Sequence, residues 1–274
     1  MRLHTTIAGH GYPILCLHGH PGHGQSLRVF TESLQHRFQT IAPDLRGYGQ
    51  SRSRQPFEMA DHLRDLMALL NDRAIDQCLV LGWSLGGILA LELALAQPQR
   101  IRGLILVATA ARPRSSHPPV TWQDLLYTGL STGLNGIWPG CAWAIQTGRR
   151  SLYRHLLRRH TPAAYQRLAR EGVPAYLQTS QEARRALSRA LRQGYDRSSA
   201  LASLNRPCLM LCGREDRHIT ATASQETAKQ LPHCRFHRYD DVAHLFPWEI
   251  PERVTRDLAH WLRQTFPELY PPER

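Results

Sequence analysis

Short aliphatic runs recur along this chain, and between them lie longer stretches in which apolar side chains return every three or four positions. The short runs predict strands at residues 14–17, 40–42, 78–82, 104–107, 207–212 and 235–239. The longer ones predict helices at 26–35, 59–71, 84–96, 224–230 and 251–266, with Pro251 suited to the first turn of the last. Alternation of this kind predicts an α/β fold, a mostly parallel sheet with helices on both faces. Residues 3–7, followed by Gly9-His10-Gly11, predict a hairpin entering that sheet.

The alternation stops between residues 112 and 204, where strand patterns are weak and prolines stand at 113, 118, 119, 139, 162 and 174. This predicts a core formed by 1–111 and 205–274 and a helical cap insertion at 112–204 over the carboxyl ends of the strands. Within the insertion, residues 125–148 carry no charge. Gly129, Gly133, Gly136, Gly140, Pro139, Asn135 and Gln146 leave that run insufficiently apolar for a membrane span. It reads as a cap wall facing a substrate pocket, with contact to a membrane surface as the lesser option.

Composition adds three constraints. A chain of 274 residues, 42% hydrophobic and 20% charged, suits one globular domain with an insertion. No long apolar segment follows Met1, so a cytoplasmic location is expected. Six scattered cysteines read as buried thiols; Cys208 and Cys212, on one predicted strand, would stand about 13 Å apart, too far for a disulfide. The formal charge is +12, carried by arginine with Lys229 as the only lysine, and many arginines cluster from Arg149 to Arg206. Without zinc-finger spacing or an RNP-like motif, nucleic-acid binding is not expected. A basic face could still steer an acidic partner. Arg150, Arg154 and Arg158, spaced by four, would share one side of a helix.

The chemistry concentrates at three points. Apolar residues 78–81 run into Gly82-Trp83-Ser84-Leu85-Gly86-Gly87 and then a helical pattern, the setting of a sharp strand-to-helix turn that exposes a serine. Ser84 is the expected nucleophile, and the N–H of Leu85 an expected oxyanion donor. The strand at 14–17 leads into His18-Gly19-His20-Pro21-Gly22, whose His20 N–H is the second expected donor. His18, His20 and His23 lack a carboxylate or cysteine with ligand spacing, so no metal is expected. His18 is expected to brace the loop, and His20 or His23 to border the pocket. Gly213-Arg214-Glu215-Asp216 follows a late strand, and His244 lies beyond the last one. The order Ser, Asp, His makes Asp216 the expected triad acid, with adjacent Glu215 as competitor, and His244 the expected base.

These segments, with Asp44-Leu45-Arg46-Gly47-Tyr48-Gly49-Gln50-Ser51 and Ala243-His244-Leu245-Phe246-Pro247-Trp248, resemble the α/β-hydrolase family over nearly the whole chain. The resemblance implies a strand-rich catalytic domain, a mobile helical cap and an active site between them. Serine at position 84 resembles the esterase, lipase, thioesterase and C–C hydrolase members, whereas dehalogenases and epoxide hydrolases of the family carry aspartate there. The Gly82–Gly87 turn is also similar to that of the pimeloyl-acyl-carrier-protein methyl ester esterases, which implies an ester held on an acidic carrier. The expected reaction is ester or thioester hydrolysis through an acyl-enzyme, without a cofactor, with Trp83, Leu125, Trp138 and Trp143 as candidates for an apolar acyl pocket. Amide or C–C bond hydrolysis, or ligand binding without catalysis, are the other readings.

Overall fold

The computed structural model describes residues 1–270. Seven strands form one sheet: β1 (Thr5–Ala8), β2 (Tyr12–Leu17), β3 (Phe38–Pro43), β4 (Cys78–Trp83), β5 (Ile101–Val107), β6 (Cys208–Gly213) and β7 (Cys234–Tyr239). Their order is β1-β3-β2-β4-β5-β6-β7, and only β1 runs antiparallel to its neighbour. From β2 the chain goes outward to β3, and from β4 it goes the other way to β5. The carboxyl ends of β2 and β4 therefore flank the point where the winding reverses, where open α/β sheets form their ligand crevice.

The expected hairpin at the amino terminus is not formed. Both edges of β2 are occupied by parallel partners, so β1 pairs with the outer edge of β3, Thr5 opposite Pro43 and Ala8 opposite Thr40. Gly9, at φ +76°, makes the crossing; a Cβ there would lie 2.3 Å from the carbonyl oxygens of Gln35 and Phe38.

Helices α1 (Arg28–Leu34), α2 (Met59–Asp72) and α3 (Leu85–Ala96) connect the first strands. Between β5 and β6 there is no strand among the described residues. That segment contains α4 (Trp122–Ile137), α5 (Ala142–Gly148), α6 (Pro162–Arg167), α7 (Val173–Leu177) and α8 (Gln181–Arg192). Helices α9 (Ala221–Gln230), α10 (Phe246–Glu249) and α11 (Pro251–Thr265) complete the chain. The α2–α3 side of the sheet buries Leu66, Leu70, Val80 and Leu89; the α1–α11 side buries Phe30, Leu81, Leu258 and Leu262. With both faces covered, β4 and β6 are buried at every position, which is why they read as unbroken apolar runs. The six cysteines are free thiols.

The β5–β6 segment is tied to the loop that carries His244. Buried Glu249 accepts the N–H groups of Arg158 and Arg159 at 2.9 and 2.5 Å and that of Ala243 at 2.8 Å. The N–H of Leu245 donates to the carbonyl of Leu156 at 2.9 Å.

Candidate active site

β4 ends at Trp83 and α3 begins at Leu85, so Ser84 alone makes the turn, at φ 55° and ψ −114°. A non-glycine residue in that region is strained and persists only where its surroundings hold it. They do so through backbone bonds: the Ser84 N–H donates to Val107 O, and Thr109 Oγ1 donates to Ser84 O, both at 2.8 Å. Two glycines admit the tight geometry. A Cβ on Gly82 would stand 2.3 Å from Gly86 O, and one on Gly86 would stand 2.0 Å from Leu17 O.

The loop after β2 passes over this turn; a Cβ on Gly19 would lie 3.2 Å from Ser84 Cβ. His18 braces it from below. Its Nε2 accepts the Leu45 N–H at 3.0 Å, so its Nδ1 carries the proton donated to Gly19 O at 2.8 Å. Burial lowers the His18 pKa to about 4 and keeps this neutral tautomer. His20, which precedes a cis peptide bond to Pro21, is hydrogen-bonded through Nδ1 to the buried Tyr48 hydroxyl at 2.8 Å. His23 is buried. Its Nδ1 accepts the Gln25 N–H at 3.1 Å, capping a turn of 3₁₀ helix at Gly24–Leu27. Asp44 ties the neighbouring turn to the same loop by accepting the N–H groups of Gly24 and Gln50 at 2.7 and 2.8 Å.

The expected acid and base are brought into contact across 28 residues of sequence. His244 Nδ1 lies 2.8 Å from Asp216 Oδ2, with both side chains buried. Asp216 Oδ1 also accepts the N–H groups of His218 and Ile219 at 2.8 and 2.9 Å, which holds the carboxylate in one orientation. Glu215 points outward and is exposed, so burial separates the two adjacent acids.

A profile of the alpha/beta hydrolase fold matches residues 12–251. The chain belongs to the α/β-hydrolase family. Pimeloyl-[acyl-carrier protein] methyl ester esterase of Xanthomonas oryzae pv. oryzae is 31% identical over 236 residues, covering 85% of this chain and 88% of that protein. The esterase of the same name from Vibrio parahaemolyticus is 28% identical over 88% of this chain and 91% of its own. Among solved structures, a thermophilic esterase from Thermogutta terrifontis superposes with a TM-score of 0.71 at 25% identity, covering 96% of this chain and 93% of its own.

In this α/β hydrolase, three histidines that sequence reasoning did not single out form a chain leading away from His244. The His218 ring meets His244 edge-on, 4.6 Å between centroids. His117 Nε2 lies 3.1 Å from His218 Nδ1, and the His155 ring is 5.1 Å from His117. Burial lowers the pKa of all three, and for His218 the neighbouring imidazoles lower it further. Only the position of His218 next to Asp216 offered a signal in the sequence; His117 lies 101 residues from its partner.

The aromatic candidates are not brought together. Trp83 is buried in the core against Trp248 and Phe30, with centroids at 5.4 and 6.1 Å, because β4 is covered on both sides. Trp138, Trp143 and Leu125 are exposed on the surface of the β5–β6 segment. Nor do Arg150, Arg154 and Arg158 share a helix face. A short 3₁₀ turn, Leu152–His155, interrupts the spacing. Arg154 pairs with Asp124 at 2.5 Å and Arg158 with Asp241 at 3.3 Å.

Proposed function

We propose that this chain is a serine esterase in which Ser84 is the nucleophile, His244 the general base and Asp216 the acid. The observation that carries the reading is the buried 2.8 Å contact between His244 Nδ1 and Asp216 Oδ2, taken with a serine held at φ 55° on a strand-to-helix turn. A histidine so oriented by a carboxylate presents Nε2 as a base. Nε2 takes the Ser84 proton as Oγ adds to the ester carbonyl, and returns it to the departing alkoxide as the C–O bond breaks. Water, deprotonated in the same way, then adds to the acyl-enzyme and releases the acid and free Ser84. The N–H groups of His20 and Leu85 have no acceptor among the described residues, which suits them to the oxyanion. The β5–β6 segment acts as the cap.

The name borne by the relatives supplies the substrate class: the methyl ester of an acyl group carried on acyl-carrier protein. The exposed Arg149, Arg150, Arg158 and Arg159 are suited to an acidic carrier. The test is fluorophosphonate labelling of the wild-type chain and of Ser84→Ala, with methanol release from a pimeloyl-carrier methyl ester. Labelling of the wild type alone and a loss of turnover on the order of 10⁶ are expected. Equal labelling, or more than about a tenth of the activity retained in Ser84→Ala, overturns the assignment.

A further inference from the structure

Helix α4 is amphipathic in the reverse sense. Its buried positions are Asp124, Ser131 and Asn135, and each is satisfied inside the fold. The Asp124 carboxylate receives Arg154 at 2.5 Å and the Thr121 N–H at 2.9 Å. Ser131 donates to Ala144 O, and Asn135 Nδ2 to Tyr165 O, both at 2.7 Å. The opposite face carries Trp122, Leu126, Leu130 and Ile137, which are 71%, 50%, 47% and 66% exposed. Leu125 flanks it, and between these side chains a Cβ on Gly129, Gly133 or Gly136 would meet nothing within 4 Å. Just beyond the helix, Trp138 and Trp143 are 64% and 71% exposed. Leaving so many large side chains in water forgoes the hydrophobic stabilisation that burying each would give. A contiguous apolar face of this kind marks an interaction site.

Charge selects the occupant. No ionisable acid or base occurs from 125 to 148, apart from Tyr127 and Cys141. Immediately beyond, Arg149 and Arg150 are exposed and have no carboxylate partner among the described residues. Arg150 sits over the ring of Tyr127, on the flank of α4, 5.9 Å from its centroid. Arg149, Arg154, Arg158 and His160 line a cleft of about 470 Å³ with Leu157 and with Asp241, which is paired to Arg158 and Arg159. An uncharged apolar stripe about 24 Å long, with tryptophans near both ends and a cationic rim, complements lipid chains beneath anionic phosphates. Among the described residues no helix is long and apolar enough to cross a membrane, so the contact lies in the plane of the surface.

We propose that the outer face of α4, with the Arg149–Arg150 rim, docks this protein on the surface of an anionic phospholipid bilayer. The helix lies at the boundary between headgroups and acyl chains, with Trp122 and Trp138 at headgroup depth and the arginines on lipid phosphates. The proposal does not depend on Ser84.

The test is flotation with vesicles of phosphatidylcholine alone and of phosphatidylcholine with phosphatidylglycerol, using the full chain and Ser84→Ala. Both proteins should float with the anionic vesicles, more weakly with the neutral ones, and brominated lipids should quench tryptophan fluorescence. The triple variant Trp122→Ser, Leu126→Ser, Leu130→Ser should lose affinity at least about tenfold while hydrolysing p-nitrophenyl acetate at the wild-type rate. Arg149→Glu with Arg150→Glu should abolish the preference for anionic lipid. Four outcomes overturn the proposal. They are failure of the wild type to float, flotation of the triple variant like wild type, loss of its soluble-ester turnover, which makes the face a pocket wall, and a wild-type dimer that the triple variant dissolves, which makes the occupant a second copy.

Discussion

The His218 ring stands edge-on to His244, 4.6 Å between centroids, while the His218 backbone N–H donates to the same Asp216 carboxylate that contacts His244 Nδ1. The backbone bond reaches the proposed acid and the ring contact the proposed base, so one residue touches both. His218→Ala keeps the first and removes the second, giving His244 room to swing. A fall of about tenfold in kcat/KM for a p-nitrophenyl ester is expected, since small losses of alignment cost rate. His218→Phe restores the ring but not the bond to His117, and should stay within about threefold of wild type. Equal losses in the two variants would assign the role to the His117 bond instead.

Asp216→Asn should lower kcat on the order of 10⁴, because the amide favours the wrong imidazole tautomer. Glu215→Gln removes an exposed charge and should alter kcat less than about threefold. Steady-state kinetics on one soluble ester distinguishes them, and reversal of the order would move the acid to Glu215.

Glu249 has a structural task with a catalytic consequence. Its carboxylate receives three backbone N–H groups, two from the β5–β6 segment and one from the residue before His244. Glu249→Ala leaves those donors without an acceptor and should cost about 2–4 kcal/mol of stability, read as a lower urea midpoint. Glu249→Gln keeps an acceptor oxygen and should cost less than half as much.

Stability should fall on acidification. Burial lowers the pKa of His18, His20, His62 and His160 to about 4 in the folded chain, against roughly 6.5 when unfolded. Below pH 6.5 the unfolded chain binds protons that the folded one refuses. The contribution of these groups is complete above 6.5 and is lost as pH falls toward 4. Thermal unfolding followed between pH 7 and 4 should show this decline, at up to about 1.4 kcal/mol per pH unit for each histidine. His160→Gln should shallow it by one such increment, and an unchanged slope would show that His160 titrates freely.

Much of the fold was legible because its signals are local. Unbroken apolar runs marked β4 and β6, glycines marked the turn at Ser84, and the order of serine, acid and histidine ranked the three residues before any contact was visible. The first strand forms but not the expected hairpin, because nothing in residues 3–11 reveals that β2 has partners on both edges. Only packing could decide that.

The sequence by itself determined which segments become strands and helices, where the turn at Ser84 falls and which residues follow β6 and β7, since each depends on neighbours a few positions away. Tertiary structure alone decided the burial of Asp216 beside exposed Glu215, the burial of Trp83 and the meeting of His117 with His218. It also decided the sense of α4. Periodicity announces a helix with one apolar face but not the direction in which that face points. Here Arg154 and the carbonyls of Ala144 and Tyr165 offer partners to Asp124, Ser131 and Asn135, so the polar face turns inward and the apolar one is left outside.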